Sequence, residues 1–140
     1  MDRVFLDANV LFSAAYAAEN RFLELWRRKG IRLLSSEYAV QEAERNLAGA
    51  ACLKRLKRLL AAIEILPGHA AIAPSPPPAT GELPEKDRPI LAAEIHAHAT
   101  HLLTGDRRHF GRWYGKRLGG VLVQSPAQYL QHQSSRHKGV

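Results

Sequence analysis

Cysteine is almost missing from this chain of 140 residues. Cys52 stands alone, which excludes an intramolecular disulfide and a cysteine-rich zinc site. The opening MDRVFLDANV has neither the basic start nor the long apolar run of a secretory signal. No apolar stretch approaches the length of a membrane span. A cytoplasmic chain with no membrane partner is the expectation. Negative charge is also scarce: 13 Asp and Glu face 20 Lys and Arg, a net charge of +7. Such a surplus suits a polyanionic partner, because each neutralised phosphate releases condensed counterions. What remains is ordinary for a globular domain, with 46% hydrophobic and 24% charged residues. The length suits one domain with a real core.

Short apolar runs alternate with helical spacing. RVFL at 3–6 reads as a strand ending at Asp7, with helical spacing from Ala8. IRLL at 31–34 reads as a second strand, after which Ser35 and Ser36 offer N-cap hydroxyls for a helix to about Leu47. Gly49 separates that helix from another carrying Leu53, Leu56, Leu60 and Ile63, with Lys54, Arg55, Lys57 and Arg58 opposite. A short strand is expected at 63–66, a helix over Pro89–Ala99, and strands at HLLT (101–104) and VLVQ (121–124). Residues 67–84, with Pro74, Pro76, Pro77 and Pro78, cannot sustain a helix or central strand and read as a surface loop. Residues 1–131 thus form one expected domain, and 132–140 a polar tail that should fray. This alternation implies an α/β fold with a mostly parallel, five-stranded sheet covered by helices on both faces. Ligands of such folds bind outside the carboxyl ends of the strands.

Four acids matter in that frame, although each has an ordinary explanation. Asp7 follows a strand and precedes a helix, where it can cap; Asp87 precedes Pro89 at a helix start; Asp106 follows Gly105 in a turn; Glu42 lies within a helix. Taken together they sit near the ends of expected strands. Convergent carboxylates repel one another unless a cation neutralises them. Hard oxygen donors suit Mg²⁺ or Mn²⁺ rather than zinc.

The order of these segments resembles the PIN-domain family, in particular the small prokaryotic ribonucleases that act as toxins of toxin–antitoxin pairs. VFLDANVL at 4–11 is similar to the family's opening motif and matches its aspartate with Asp7. SEYAVQEAERNL at 36–47 resembles its acid-bearing helix and supplies Glu42. KDRPILAAEIHAHATHLLTGDRRHF at 86–110 resembles its third block and supplies Asp87 and Asp106. The resemblance spans roughly residues 2–125. It implies a three-layer α/β/α fold and an endoribonuclease in which Asp7, Glu42, Asp87 and Asp106 hold one or two Mg²⁺ or Mn²⁺ ions. Products would carry a 5′ phosphate and a 3′ hydroxyl, with Asn9 and Thr104 orienting water or phosphate, or else serving as cap and turn residues. Arg107, Arg108 and His109 follow Asp106, where some members carry a further acid.

Arg107, Arg108, Arg112, Lys116 and Arg117 are interleaved with Trp113 and Tyr114. Such a mixture can track a single-stranded RNA backbone and stack a base, or form a solvated loop with Trp113 on the core. His96, His98 and His101 fall on different sides of a helix and a strand, which argues against a zinc site. Phe12, Tyr16, Phe22, Leu23 and Trp26 form an aromatic stripe whose plainest role is packing. In the relatives this region forms a homodimer or holds an antitoxin. Two rivals to an RNA-cutting enzyme are a DNA- or flap-directed nuclease and a PIN-like module that binds RNA or a partner without cutting.

Overall fold

The protein is described here by a computed structural model covering residues 1–68 and 91–138, with no side-chain account beyond residue 133. Its first unit is β1 (Asp2–Leu6) followed by α1 (Ala8–Tyr16). A 3₁₀ turn, Arg21–Leu23, leads into the short α2 (Glu24–Arg27) and then β2 (Ile31–Ser36). Next come α3 (Glu37–Asn46), α4 (Ala50–Leu60) and β3 (Glu64–Leu66). After the undescribed stretch follow α5 (Ala93–His98), β4 (His101–Leu103) and α6 (Arg107–Phe110). The chain closes with β5 (Arg117–Leu118), β6 (Val121–Gln124) and α7 (Pro126–Lys138).

The sheet has the order β3-β2-β1-β4-β6-β5. All pairings are parallel except the antiparallel hairpin of β5 with β6. Side chains alternate between its two faces, as the period of a strand requires. Val4, Leu6, Leu33 and Leu103 pack into one core with Val10 and Leu11 of α1, Ala39 and Ala43 of α3, Leu56 of α4 and Tyr129 of α7. Phe5, Leu34, Leu102 and Val123 pack into the other with Ile95 of α5 and Phe110 of α6. The molecule is therefore a three-layer α/β/α fold. Both faces of the central strands are buried, which is why those strands read as unbroken apolar runs rather than alternating ones.

Six strands stand where five were expected, because β5 is only two residues long. It is joined to β6 by Gly119 and Gly120, whose φ values of +56° and +88° suit the tight reversal of a hairpin. The helix expected over Pro89–Ala99 is confined, among the described residues, to Ala93–His98, since Ala92 is extended with ψ near 148°. A polar tail was expected to begin at His132. Helix α7 runs through that point to Lys138, and buried Gln133 donates to Asp2 Oδ2 (2.7 Å) beside Tyr129, which does the same. The Pro-rich segment lies almost entirely outside the described residues. None of the described helices is long and apolar enough to cross a membrane.

Candidate active site

Strands β1 and β4 are neighbours, with Leu6 opposite Leu103. The residues that follow each strand therefore emerge side by side at the carboxyl edge of the sheet. Asp7 N–H extends the ladder by donating to Leu103 O at 3.1 Å. Its carboxylate then caps α1, with Oδ1 accepting from Ala8 N at 2.9 Å. The other oxygen, Oδ2, accepts from Thr104 Oγ1 at 2.9 Å and from Asn9 Nδ2 at 3.4 Å.

Thr104 is fully buried and uses its whole hydroxyl. It donates to Asp7, and it accepts from Asn9 Nδ2 (3.3 Å) and from Asp106 N (3.1 Å). Asn9 completes the link by accepting from Gly105 N at 2.8 Å. A β-carbon at Gly105 would stand 3.3 Å from Asn9 Oδ1, so the glycine between Thr104 and Asp106 lets that amide come close. Of the two readings of Asn9 and Thr104, the structure shows the capping and turn hydrogen bonds, and these same bonds hold Asp7.

The electrostatics follow from this packing. Burial raises the Asp7 carboxyl above its ordinary value, and the nearby Asp106 charge adds to the rise, against the hydrogen bonds from Thr104, Ala8 and Asn9. Asp7 is thus a carboxylate held by neutral donors beside a second acid, an arrangement deficient in positive charge. Asp106 behaves oppositely. Its partial burial raises the carboxyl, but hydrogen bonds from the His109 ring and backbone, with the charge of that ring, outweigh burial and hold it below the ordinary value. The His109 contacts are Nδ1 to Oδ2 at 2.8 Å and N to Oδ1 at 3.2 Å.

Glu42 reaches the same region from α3. That helix starts at the carboxyl end of β2, where Ser36 Oγ accepts from Ala39 N at 3.1 Å. Ser35, the other candidate cap, instead donates from the strand to Leu6 O at 2.9 Å. Asp7, Asn9, Phe12, Glu42 and Asn46 line an open cleft of about 540 Å³ between α1 and α3. Glu42 also pairs with Arg45 one turn on, at 3.5 Å. Asp87 lies outside the described residues. Among the described residues, no three His, Cys, Asp or Glu side chains converge closely enough to hold a metal ion together. A second cleft, of about 500 Å³, opens at the opposite sheet edge by Trp26, Arg28 and Arg32. Its acid, Glu64, is paired with Arg32 at 3.7 Å, so it lacks a free carboxylate set.

The basic segment after Asp106 divides in two. Arg107, Arg108, Arg112 and Lys116 are exposed, whereas Trp113 and Tyr114 are half-buried and pack on the second core. Tyr114 has a role that was not anticipated: its hydroxyl donates to Thr104 O at 2.7 Å. Burial pushes that phenol up; Arg107 opposes the shift, while Asp106 and Asp7 reinforce it. The contact of His109 with Asp106 was not anticipated either, although a spacing of three residues brings side chains together on a helical turn. Of the aromatic stripe, Phe12, Phe22 and Trp26 pack against the first core, while Tyr16 is 64% exposed.

Asp7, Asn9, Thr104 and Asp106 are thus one bonded unit, with Glu42 across the adjoining cleft. A family profile described as the PIN domain matches residues 3–108, a span that contains all five. No curated protein matches the chain closely enough to count as a relative.

Proposed function

The chain belongs to the PIN-domain family, a family of nucleases, and from that premise we propose that it is a metal-dependent endoribonuclease of the toxin type. The observation carrying this reading is the placement of Asp7 and Asp106 on one sheet edge, joined through Thr104, with Asp7 buried among neutral donors. Oxygen donors short of positive charge fit a hard divalent cation, Mg²⁺ or Mn²⁺. Asp7, Glu42, Asp87 and Asp106 are the residues that would hold it. When bound, such an ion acts as a Lewis acid, strengthening water as a nucleophile and stabilising charge on the departing 3′ oxygen.

The chain's own residues have separate tasks. Thr104 and Ala8 fix the Asp7 carboxylate in one orientation before any ligand arrives, so that no ordering is needed at the moment of reaction. Asn9 keeps Gly105 and Asp106 against the start of α1. Arg107, Arg108, Arg112 and Lys116 neutralise phosphates of a single-stranded RNA lying across the edge. Hydrolysis leaves a 5′ phosphate and a 3′ hydroxyl. Exposed Tyr16, its ring tilted against that of Phe12 with centroids 5.6 Å apart, belongs to the face for a second copy or an antitoxin.

A second reading, a PIN-like module that binds RNA or a partner without cutting, draws on the pairing of Glu42 with Arg45 and the absence of a converged triad among the described residues. Matched single-stranded RNA and DNA, incubated with Mg²⁺, Mn²⁺ or chelator, separate these readings. The expected result is cleavage of RNA alone, with 5′-phosphate ends, lost with chelator and in Asp7→Asn. Cleavage of DNA instead would transfer the activity to the DNA-directed class. RNA binding without cleavage in either metal would leave the binding module.

A further inference from the structure

The cleft beside Asp7 has walls that the acids leave unused. Phe12 stands four residues beyond Ala8 on α1, and Asn46 four beyond Glu42 on α3, each roughly 6 Å farther along its helix. Phe12 is half-buried: it packs against the first core, leans on Tyr16, and lines the cleft with what remains of its surface. Asn46 is exposed, and its Nδ2 donates to Glu42 O at 3.0 Å. A backbone carbonyl only accepts, so this bond fixes which end of the amide is nitrogen. It leaves Asn46 Oδ1 and one N–H without a partner among the described residues, with an aromatic ring on the helix across the cleft.

We propose that this outer part of the cleft is a base subsite, taking an adenine unstacked from a single strand of RNA that passes Asp7. The inference rests on the proposed function and names what that site selects. Phe12 supplies a surface on which any base can stack, since every base has a π-face. The open edge of the Asn46 amide supplies the selection. Its Oδ1 accepts from the adenine amino group while its spare N–H donates to the neighbouring ring nitrogen, the pairing that asparagine makes with this base. Uracil in the same pose turns a carbonyl towards Oδ1, acceptor against acceptor. The cleft, at about 540 Å³, has the size of an ordinary small-ligand pocket and is continuous with Asp7.

Short uridine strands of RNA carrying one central adenosine, cytidine or guanosine would be compared with an all-uridine strand and a fully abasic one. Fluorescence anisotropy in chelator reads their binding without cleavage, on the full chain, on Asn46→Ala and on Phe12→Leu, with a thermal melt of each. Asn46 is exposed and alanine favours a helix, so that variant keeps the fold. The wild type is expected to bind the adenosine strand about tenfold more tightly than the all-uridine strand. Asn46→Ala should erase that preference and leave the all-uridine affinity unchanged. Phe12→Leu should weaken the base-bearing strands about fivefold or more and leave the abasic strand alone. A wild type that binds RNA but ranks the bases alike, or prefers another base, overturns the subsite. So does an adenosine preference that survives Asn46→Ala. Metal-dependent cleavage of RNA would then still hold, and the proposed function with it. Folded wild type that binds none of the RNAs overturns both.

Discussion

Thr104 Oγ1 donates to Asp7 Oδ2 across 2.9 Å, joining residues 97 positions apart in the chain. Every hydrogen-bonding direction of that hydroxyl is used, and the atoms it touches belong to Asp7, Asn9 and Asp106. The candidate site is organised around this single oxygen, itself in no position to meet solvent.

Replacing Thr104 with Val should therefore hurt more than its size suggests. The shape is kept, but Asp106 N–H and the Asn9 amide lose their acceptor and Asp7 loses a donor. A stability loss of about 1–3 kcal/mol is expected from the unsatisfied groups. Thr104→Ser should recover most of it. Urea denaturation of the three proteins without metal provides the comparison; equal midpoints for Val and Thr would mean the hydroxyl links nothing.

The raised Asp7 carboxyl makes a pH prediction for the metal-free chain. Between the unfolded value of 3.8 and the higher folded value, the folded chain keeps a proton that the unfolded chain gives up. That contribution to stability is complete below 3.8 and is lost as pH rises through the folded value. In Asp7→Asn this loss should vanish, so the variant becomes more stable than wild type towards neutral pH while losing cleavage. Melting temperatures in chelator across the acidic range measure it, and parallel curves for the two proteins would refute it.

Arg107 and Arg108 are exposed and sit beside Asp106, so they should act on RNA by charge rather than by sequence. Removing one phosphate contact should lower the dependence of log K on log salt by about 0.7 for a single strand. Fluorescence anisotropy of Arg107→Ala and Arg108→Ala, with cleavage blocked by chelator, reads that slope. An unchanged slope in both would take the RNA path away from α6.

At the hairpin, a β-carbon on Gly119 would come within 2.4 Å of His96 Nε2, and its φ of +56° already disfavours a side chain. Gly119→Ala should cost about 1–2 kcal/mol from backbone conformation alone. The exposed His96 ring can move aside, so adding His96→Ala should restore only a small part of the loss. A double-mutant cycle distinguishes the two components; complete recovery would show that crowding, not backbone angle, demands glycine.

How much of this was legible in the chain depends on length and burial. β1, β2, β4 and β6 could be read because both of their faces are buried, leaving the apolar runs Val4–Leu6, Leu33–Leu34, Leu102–Leu103 and Val121–Val123. Arg117–Leu118 has no such run, and only the paired glycines after it mark a hairpin. The four-residue helices α2 and α6 are shorter than one hydrophobic repeat and leave no periodic trace. Only the end of α7, from His132, looked like a tail because its sequence is polar; Tyr129 and Gln133 tie the helix to Asp2. Within the site, Asp7 and Asp106 were placed by strand ends, and the parallel register brings them together. Ser35 and Ser36 are identical letters, and only that register decides which caps α3. The bond of Tyr114 to a backbone carbonyl leaves no signature in sequence, and that of His109 to Asp106 shows only as a spacing of three residues.

The adjacency of β1 and β4 also sets a schedule for biosynthesis. Asp7 leaves the ribosome well before Thr104, which follows 97 positions later. Until His101–Leu103 can pair with Val4–Leu6, a nascent chain carries an acid with neither its anchor nor its neighbour. Any chemistry that needs the two acids together is silent until β4 has been made and paired with β1.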